Sequence, residues 1–211
     1  MRAATFHDMF TIHPDTRILD LGSGDGSHIA SVLKGTPIIA ANVYIADIDE
    51  AAVTRGAQRY GFQSIIVPED GRLPFPDRYF DIVFSSSVIE HVTVPKNTVW
   101  TVTSGRLFRQ RSLERQKRFA DEVARLAVGY FVQTPNKWFL IESHTLLPLA
   151  GWLPRRFLIP LMRVSNCLWI KSTQPDWHLL TEAQLARLFP DATIVAERLF
   201  GMKKSIMAVK R

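Results

Sequence analysis

The sequence predicts an α/β fold, a doubly wound and mostly parallel sheet with helices on both faces, formed as a single domain over residues 1–211. Three observations predict it. Residues 17–33 read as buried strand, glycine turn and helix: Ile18, Leu19 and Leu21 form a short apolar run, Gly22, Gly24 and Gly26 follow, and Ile29, Ala30, Val32 and Leu33 line one helical face. Further apolar, β-rich runs recur downstream, separated by stretches with helical periodicity. The last two such runs, 192–199 and 204–209, are joined only through Phe200-Gly201-Met202, so they pair antiparallel.

The glycine turn selects its ligand class. Glycines let the backbone turn tightly and approach a ligand closely, and the turn opens a helix, so a ligand there is expected to meet free backbone N–H groups and the positive helix end. A dinucleotide site prefers G-x-G-x-x-G, yet the third glycine counted from Gly22 and Gly24 would fall on Ser27. No GK[ST] phosphate loop is present. The pattern is Asp20-x-Gly22-x-Gly24-x-Gly26, with an acid on the strand itself. That acid repels phosphate and attracts an ammonium or a sulfonium. The pattern resembles the first motif of class I S-adenosylmethionine (SAM) methyltransferases, D/E-x-G-x-G-x-G. The resemblance implies a Rossmann-like, seven-stranded sheet in the order 3-2-1-4-5-7-6. It also implies that Asp20, Gly22, Ser23, Gly24 and Gly26 hold the methionine part of SAM.

Residues 1–16 read as a short lead-in helix and a turn at His13-Pro14-Asp15. Gly35-Thr36-Pro37 breaks the next helix, and the apolar run 38–45 is the second strand. Asp47 stands about 20 residues past the glycines, where such folds place an acid on the ribose hydroxyls; the alternative is a plain strand-end turn residue. Ile48 is assigned to the cofactor with it. Asp49 is the N-cap of a helix through Tyr60. Residues 64–68 form a third strand. After it come Glu69-Asp70-Gly71, then Leu73-Pro74-Phe75-Pro76-Asp77, then Phe80-Asp81 opening a fourth strand over 80–86, then Glu90-His91. This order resembles the ubiquinone-biosynthesis-like group of small-molecule SAM methyltransferases, which implies Asp70 with Gly71 at the adenine. The spacing to Leu73 is one residue short of the usual, so Glu69 rivals Asp70. Leu73 and Phe75 are either adenine-rim or core residues. Ser86, at the end of the fourth strand, faces the donor side, and His91 reads as a support of the site.

Residues 105–118 carry Arg106, Arg109, Arg111, Arg115, Lys117 and Arg118 against one acid, Glu114. Such a run is more often a solvated helix face than a nucleic-acid contact, and interleaved aromatics are few. Residues 129–136 form a fifth strand and its exit. The stretch Gln133-Thr134-Pro135-Asn136-x-Trp138-Phe139-x-x-Glu142-x-His144 resembles one found in a subset of these methyltransferases, whose exit loop lines the acceptor pocket. Glu142 and His144, two apart on an extended segment, share a face and are the candidate catalytic pair, with Asn136 beside them. A lid or acceptor insertion is expected at about 137–175. Its arginines among Leu, Ile, Trp and Pro suit either a packed lid or a peripheral membrane contact. Thr181 caps a last helix, reaching Phe189.

Composition sets the outer bounds. Hydrophobic residues at 46% and charged residues at 22% are ordinary for a globular chain, and a net charge of +6 is only mildly basic. One cysteine excludes a disulfide framework, and no metal cluster is expected. Residues 1–10 lack the pattern of a signal peptide, and the expected compartment is cytoplasmic. The expected activity is SAM-dependent methyl transfer to a small, hydrophobic acceptor, with SAM as cofactor. The alternatives are an RNA methyltransferase using the basic 106–118 face and a non-catalytic SAM-binding module.

Overall fold

The computed structural model describes residues 2–139, 153–168 and 174–211. Its strands are β1 (Ile18–Leu21), β2 (Val43–Asp47), β3 (Gln63–Ile66), β4 (Phe80–Ser86), β5 (Ala127–Pro135), β6 (Thr193–Leu199) and β7 (Met202–Lys210). Its helices are α1 (Arg2–Met9), α2 (Ser27–Val32), α3 (Glu50–Tyr60), α4 (Gly105–Leu126), α5 (Arg155–Leu168) and α6 (Glu182–Leu188). The strands make one sheet in the order β3-β2-β1-β4-β5-β7-β6. Neighbours from β3 through β5 pair in parallel, while β7 runs antiparallel to both β5 and β6. The implied order is therefore the observed one.

Alternation along the central strands explains why both faces are covered. Ile18, Ile82, Phe84 and Phe131 pack on one side with Phe6, Ile29 and Val53 of α1, α2 and α3. Leu19, Leu21, Val83 and Val132 pack on the other with Ala120, Val123 and Leu185 of α4 and α6. Successive side chains of a strand point to opposite faces, so a sheet buried on both sides needs near-continuous apolar strands. In β1 every residue is buried, and Asp20 is the one polar member.

Strand boundaries differ from expectation by a few residues; β5 and β7 each start two residues early, at Ala127 and Met202. Residues 38–42 are not strand: a 3₁₀ turn, Ala40–Asn42, precedes β2. Ile39 N–H and Asn42 Nδ2 both donate to the Pro14 carbonyl, which diverts this segment over the loop before β1. With β1 starting at Ile18, opposite Val43, there is no neighbour for an earlier start. β3 likewise sits at Gln63–Ile66 rather than 64–68. The caps hold as expected. Asp49 accepts from Ala52 N–H, and Thr181 forms a capping box with Gln184. On α4, Phe108, Ser112, Gln116, Ala120 and Val123 face inward, and every basic residue from Arg106 to Arg118 is exposed. The basic run is the solvated side of a helix that buries its other side.

Candidate active site

The site is built at the C-terminal ends of the parallel strands, where loops must leave the sheet. After β1 the chain turns through Gly22 with φ of 81°, Gly24 with 56° and Gly26 with 70°. At Gly22 a side chain is excluded twice, since a Cβ would come within 2.4 Å of Val88, which folds over from the end of β4. Above Gly24 there is open space, with no atom within 4 Å of an added Cβ. From below, α3 approaches so closely that a Cβ on Gly56 would lie 2.3 Å from the Asp25 carbonyl oxygen.

The backbone N–H groups of this loop are not free, contrary to expectation. Gly22 and Ser23 donate to the Ala46 carbonyl, Gly24 to Asp47 Oδ2 at 2.8 Å, Gly26 to Ser23, and Ser27 to Asp25 Oδ1. The helix that follows is only 6 residues long. This loop is thus a poor cradle for an anion and remains a suitable wall for a cation.

Asp20 supplies the charge. It lies 3% exposed, and no hydrogen bond to its carboxylate is found among the described residues. Burial first, and the neighbouring Asp47 second, push its pKa from 3.8 up to about 8. A carboxyl held in that state favours a cationic neighbour that would let it ionise. Asp47 spends one carboxylate oxygen on Gly24 N–H and the other on Asp49 N–H at 3.1 Å, so it braces the glycine loop and the start of α3. Each oxygen keeps a further acceptor position. Ile48, next in the chain, is 64% exposed at the mouth. Glu69 and Asp70 are both exposed; Asp70 accepts from Arg72 N–H in a local turn through Gly71. Leu73 and Phe75 are core residues, Leu73 fully buried and Phe75 packed among Tyr44, Tyr79 and Phe80. Arg125, reaching from α4 to the Leu73 and Phe75 carbonyls, fixes this loop.

The ends of β4 and β5 form the other half. Ser86 and Ser87 hydroxyls both donate to Gln133 Oε1, at 2.8 and 3.2 Å, with Ser87 in the left-handed region at φ of 60°. Gln133 is fully buried, and its Nε2 has no partner among the described residues. Glu90 is buried as well and accepts from the Thr134 hydroxyl. His91 pairs with Asp176 at 3.2 Å. Burial opposes its protonated form, but the Asp176 hydrogen bond and charge prevail and raise its pKa. Asn136 is a brace: its Nδ2 and N–H donate to the carbonyls of Lys203 and Lys204 in β7. Glu142 and His144, the expected catalytic pair, lie outside the described residues.

Sequence reasoning passed over His178 and the groups that hold it. Gln116, buried on α4, donates from Nε2 to the carbonyls of Ile89 and His178. Its Oε1 must then be the acceptor, so His178 Nδ1, 2.9 Å away, carries a proton and Nε2 carries the lone pair. Burial, with the charges of Lys137 and Arg109, lowers the His178 pKa to about 4. Arg155 was read only as one arginine of a greasy stretch. It is 6% exposed, donates to the carbonyls of Val99, Val102 and Pro175, and stacks 3.6 Å from the Phe108 ring centroid. No spacing rule marks either residue, because their partners come from distant segments. Among the described residues no three His, Cys, Asp or Glu side chains gather for a metal ion.

Residues 19–103 match the methyltransferase domain family. No curated protein matches. Solved structures share the fold at low identity. A chain from the complex between the Haloferax volcanii Trm112 methyltransferase activator and a methyltransferase aligns with a TM-score of 0.58 and 12% identity, over 99% of this chain and 87% of that one. The SAM-dependent methyltransferase from Mesorhizobium loti aligns with a TM-score of 0.57 and 13% identity, over 98% and 95%. PigF with SAH aligns at 0.56 and 14%, over 99% of this chain and 60% of that one. These likenesses are of fold. The family match covers residues 19–103 of the 211, and with the shared fold it supports S-adenosylmethionine-dependent methyl transfer.

Proposed function

We propose that the methyl acceptor is a small, hydrophobic molecule, and that donor and acceptor divide the site between its two halves. The donor side runs across the ends of β1, β2 and β4. Asp20 faces the ammonium of the donor, and Gly22, Ser23, Gly24 and Gly26 give it backbone room. Asp47 receives ribose hydroxyls on its remaining acceptor positions. Ile48 covers the adenine, Asp70 with Gly71, or Glu69 in its place, meets the adenine edge, and Ser86 stands at the methionine end. The observation that carries this reading is the buried Asp20 carboxyl beside the open space over Gly24. A group so placed is costly unless a cation reaches it.

When bound, the donor supplies a sulfonium methyl that is transferred by in-line displacement, a step in which alignment provides most of the barrier reduction. The chain's own part is to orient the acceptor and exclude water. A lid or acceptor insertion at about 137–175 is assigned this task; Leu158 and Met162 within it pack with Trp100, Trp177 and Leu179 in one apolar layer. His144 or Glu142 takes the acceptor's proton where one must leave. The apolar layer favours a hydrophobic acceptor, as does the resemblance to the ubiquinone-biosynthesis-like group.

The test is acceptor profiling with methyl-labelled SAM, offering lipophilic phenols and quinols, water-soluble amines, and structured RNA in parallel. Label extracted into organic solvent from the lipophilic set supports the reading. Label confined to RNA, with steep salt dependence, would overturn it in favour of the basic face of α4.

A further inference from the structure

Helix α5 is apolar on two sides. Leu158, Ile159 and Met162 are buried beneath it, the first and last packing on Trp100, Trp177 and Leu179. The opposite side also carries large apolar residues. Phe157 is 55% exposed and Val164 57%, with Leu161 and Pro160 exposed between them. At 100° per residue these four fall on one outward stripe. Arg156 and Arg163 lie along one flank of it, their guanidinium groups over Phe157 and Trp100. Helix α5 contains no acidic residue. Arg155 clamps its first turn to Val99, Val102 and Pro175, so the stripe is held outward by a buried anchor.

A second apolar projection sits on the same edge of the sheet. Because Pro135 pairs with Ser205, the β6–β7 turn overhangs the C-terminal end of β5, and Phe200 at its tip is 90% exposed, beside Arg198. Trp138, just past the end of β5, is also exposed. No helix among the described residues is long and apolar enough to cross a membrane.

We propose that this edge docks on an anionic lipid bilayer, α5 lying in the plane of the interface with Phe157, Leu161 and Val164 in the acyl boundary and Arg156 and Arg163 among the headgroup phosphates. Exposed apolar stripes on a stably folded helix mark an interaction surface. Flanking arginines and the absence of acids select an anionic bilayer over a protein groove, since their stems bury against the apolar layer while their heads meet lipid phosphate. The docking surface itself does not depend on the acceptor's identity.

The experiment is flotation of the full chain, without SAM, on vesicles of phosphatidylcholine alone and of phosphatidylcholine with about one third phosphatidylglycerol. We expect binding to the anionic vesicles only, weakened as salt rises. The double variant Phe157→Ser, Val164→Ser should bind roughly tenfold more weakly with an unchanged melting temperature, because both side chains are exposed. Failure of the parent chain to float with anionic vesicles at low salt would overturn the proposal. So would equal binding by the double variant. If light scattering instead shows a dimer that the double variant dissolves, the stripe is covered by a second copy and the proposal is likewise wrong. Methylation of a lipophilic acceptor without vesicle binding would leave the acceptor assignment standing and sink only the docking.

Discussion

If Asp20 receives the donor's ammonium, cofactor binding must expel a proton. In the ligand-free protein its pKa stands at about 8, raised by burial and then by Asp47. At pH 6.5 such a group is protonated in about 97% of molecules, since the ratio of forms is roughly 30 to 1. A neutral acid offers an ammonium little, whereas the carboxylate offers a charge-assisted hydrogen bond, so the complex holds the ionised form. Affinity for SAM should then rise close to tenfold per pH unit well below 8 and flatten toward it, about 50-fold from pH 6 to pH 8 on the Asp20 titration alone if the complex titrates below 6. Near pH 8 the ligand's own α-amino group is itself about half deprotonated, which blunts the rise, and above that affinity should turn down. Calorimetry at pH 6.5 in two buffers of different ionisation enthalpy reads the released proton directly, and about one per binding event is expected. An analogue lacking the amino group should show neither the release nor the slope. Asp20→Asn should bind weakly and without a slope. The stability of the free protein runs the other way. The folded pKa lies above the unfolded 3.8, so the stabilising contribution of the protonated form is present below 3.8 and is lost as pH rises through about 8. The distance between the two values bounds the loss at about 5–6 kcal/mol. Asp20→Asn should therefore raise the melting temperature at pH 8 while it removes binding. Zero proton release, with an affinity flat from pH 6 to 8, would refute the placement of the ammonium on Asp20.

Four further outcomes separate scaffold from site. Gly22→Ala must displace Val88 at a φ of 81°, and is expected to cost both folding stability, by roughly 2–4 kcal/mol, and SAM binding. Gly24→Ala meets no atom, so its loss of stability should stay near about 1 kcal/mol, while its methyl enters the open space and lowers SAM affinity at least about tenfold; thermal melts with and without SAM distinguish the two. His91, with a folded pKa above 6.5, contributes stability that is present below 6.5 and fades as pH rises through its raised value. His91→Gln should thus lower the melting temperature at pH 6 and leave it nearly unchanged at pH 8.5. Gln116→Leu leaves the His178 carbonyl and Nδ1 without their partner in a buried place and takes one of two donors from the Ile89 carbonyl, a loss of about 2–4 kcal/mol by urea unfolding.

Why the glycine turn was legible in the sequence and the groups around His178 and Arg155 were not follows from where their parts come from. Asp20, the three glycines and Asp49 act within a few residues of themselves, through a strand end, a positive φ or a cap, and local chemistry leaves a local pattern. The sheet order was legible for a related reason: apolar runs alternating with amphipathic helices admit few packings. The start of β2 was misplaced because residues 38–42 are apolar enough for a strand, and only their bonds to Pro14, 25 to 28 positions earlier in the chain, draw them away. Gln116, His178 and Arg155 belong wholly to that second kind. Each is a polar side chain closing hydrogen bonds between segments about 20 to 62 residues apart in sequence. A buried arginine and a buried histidine look like ordinary surface residues until the chain has folded over them. The same holds for the outward side of α5. Its apolar periodicity reads equally well as the buried side of a lid, and only the observation that Leu158 and Met162 already fill that role leaves Phe157, Leu161 and Val164 with a surface to find.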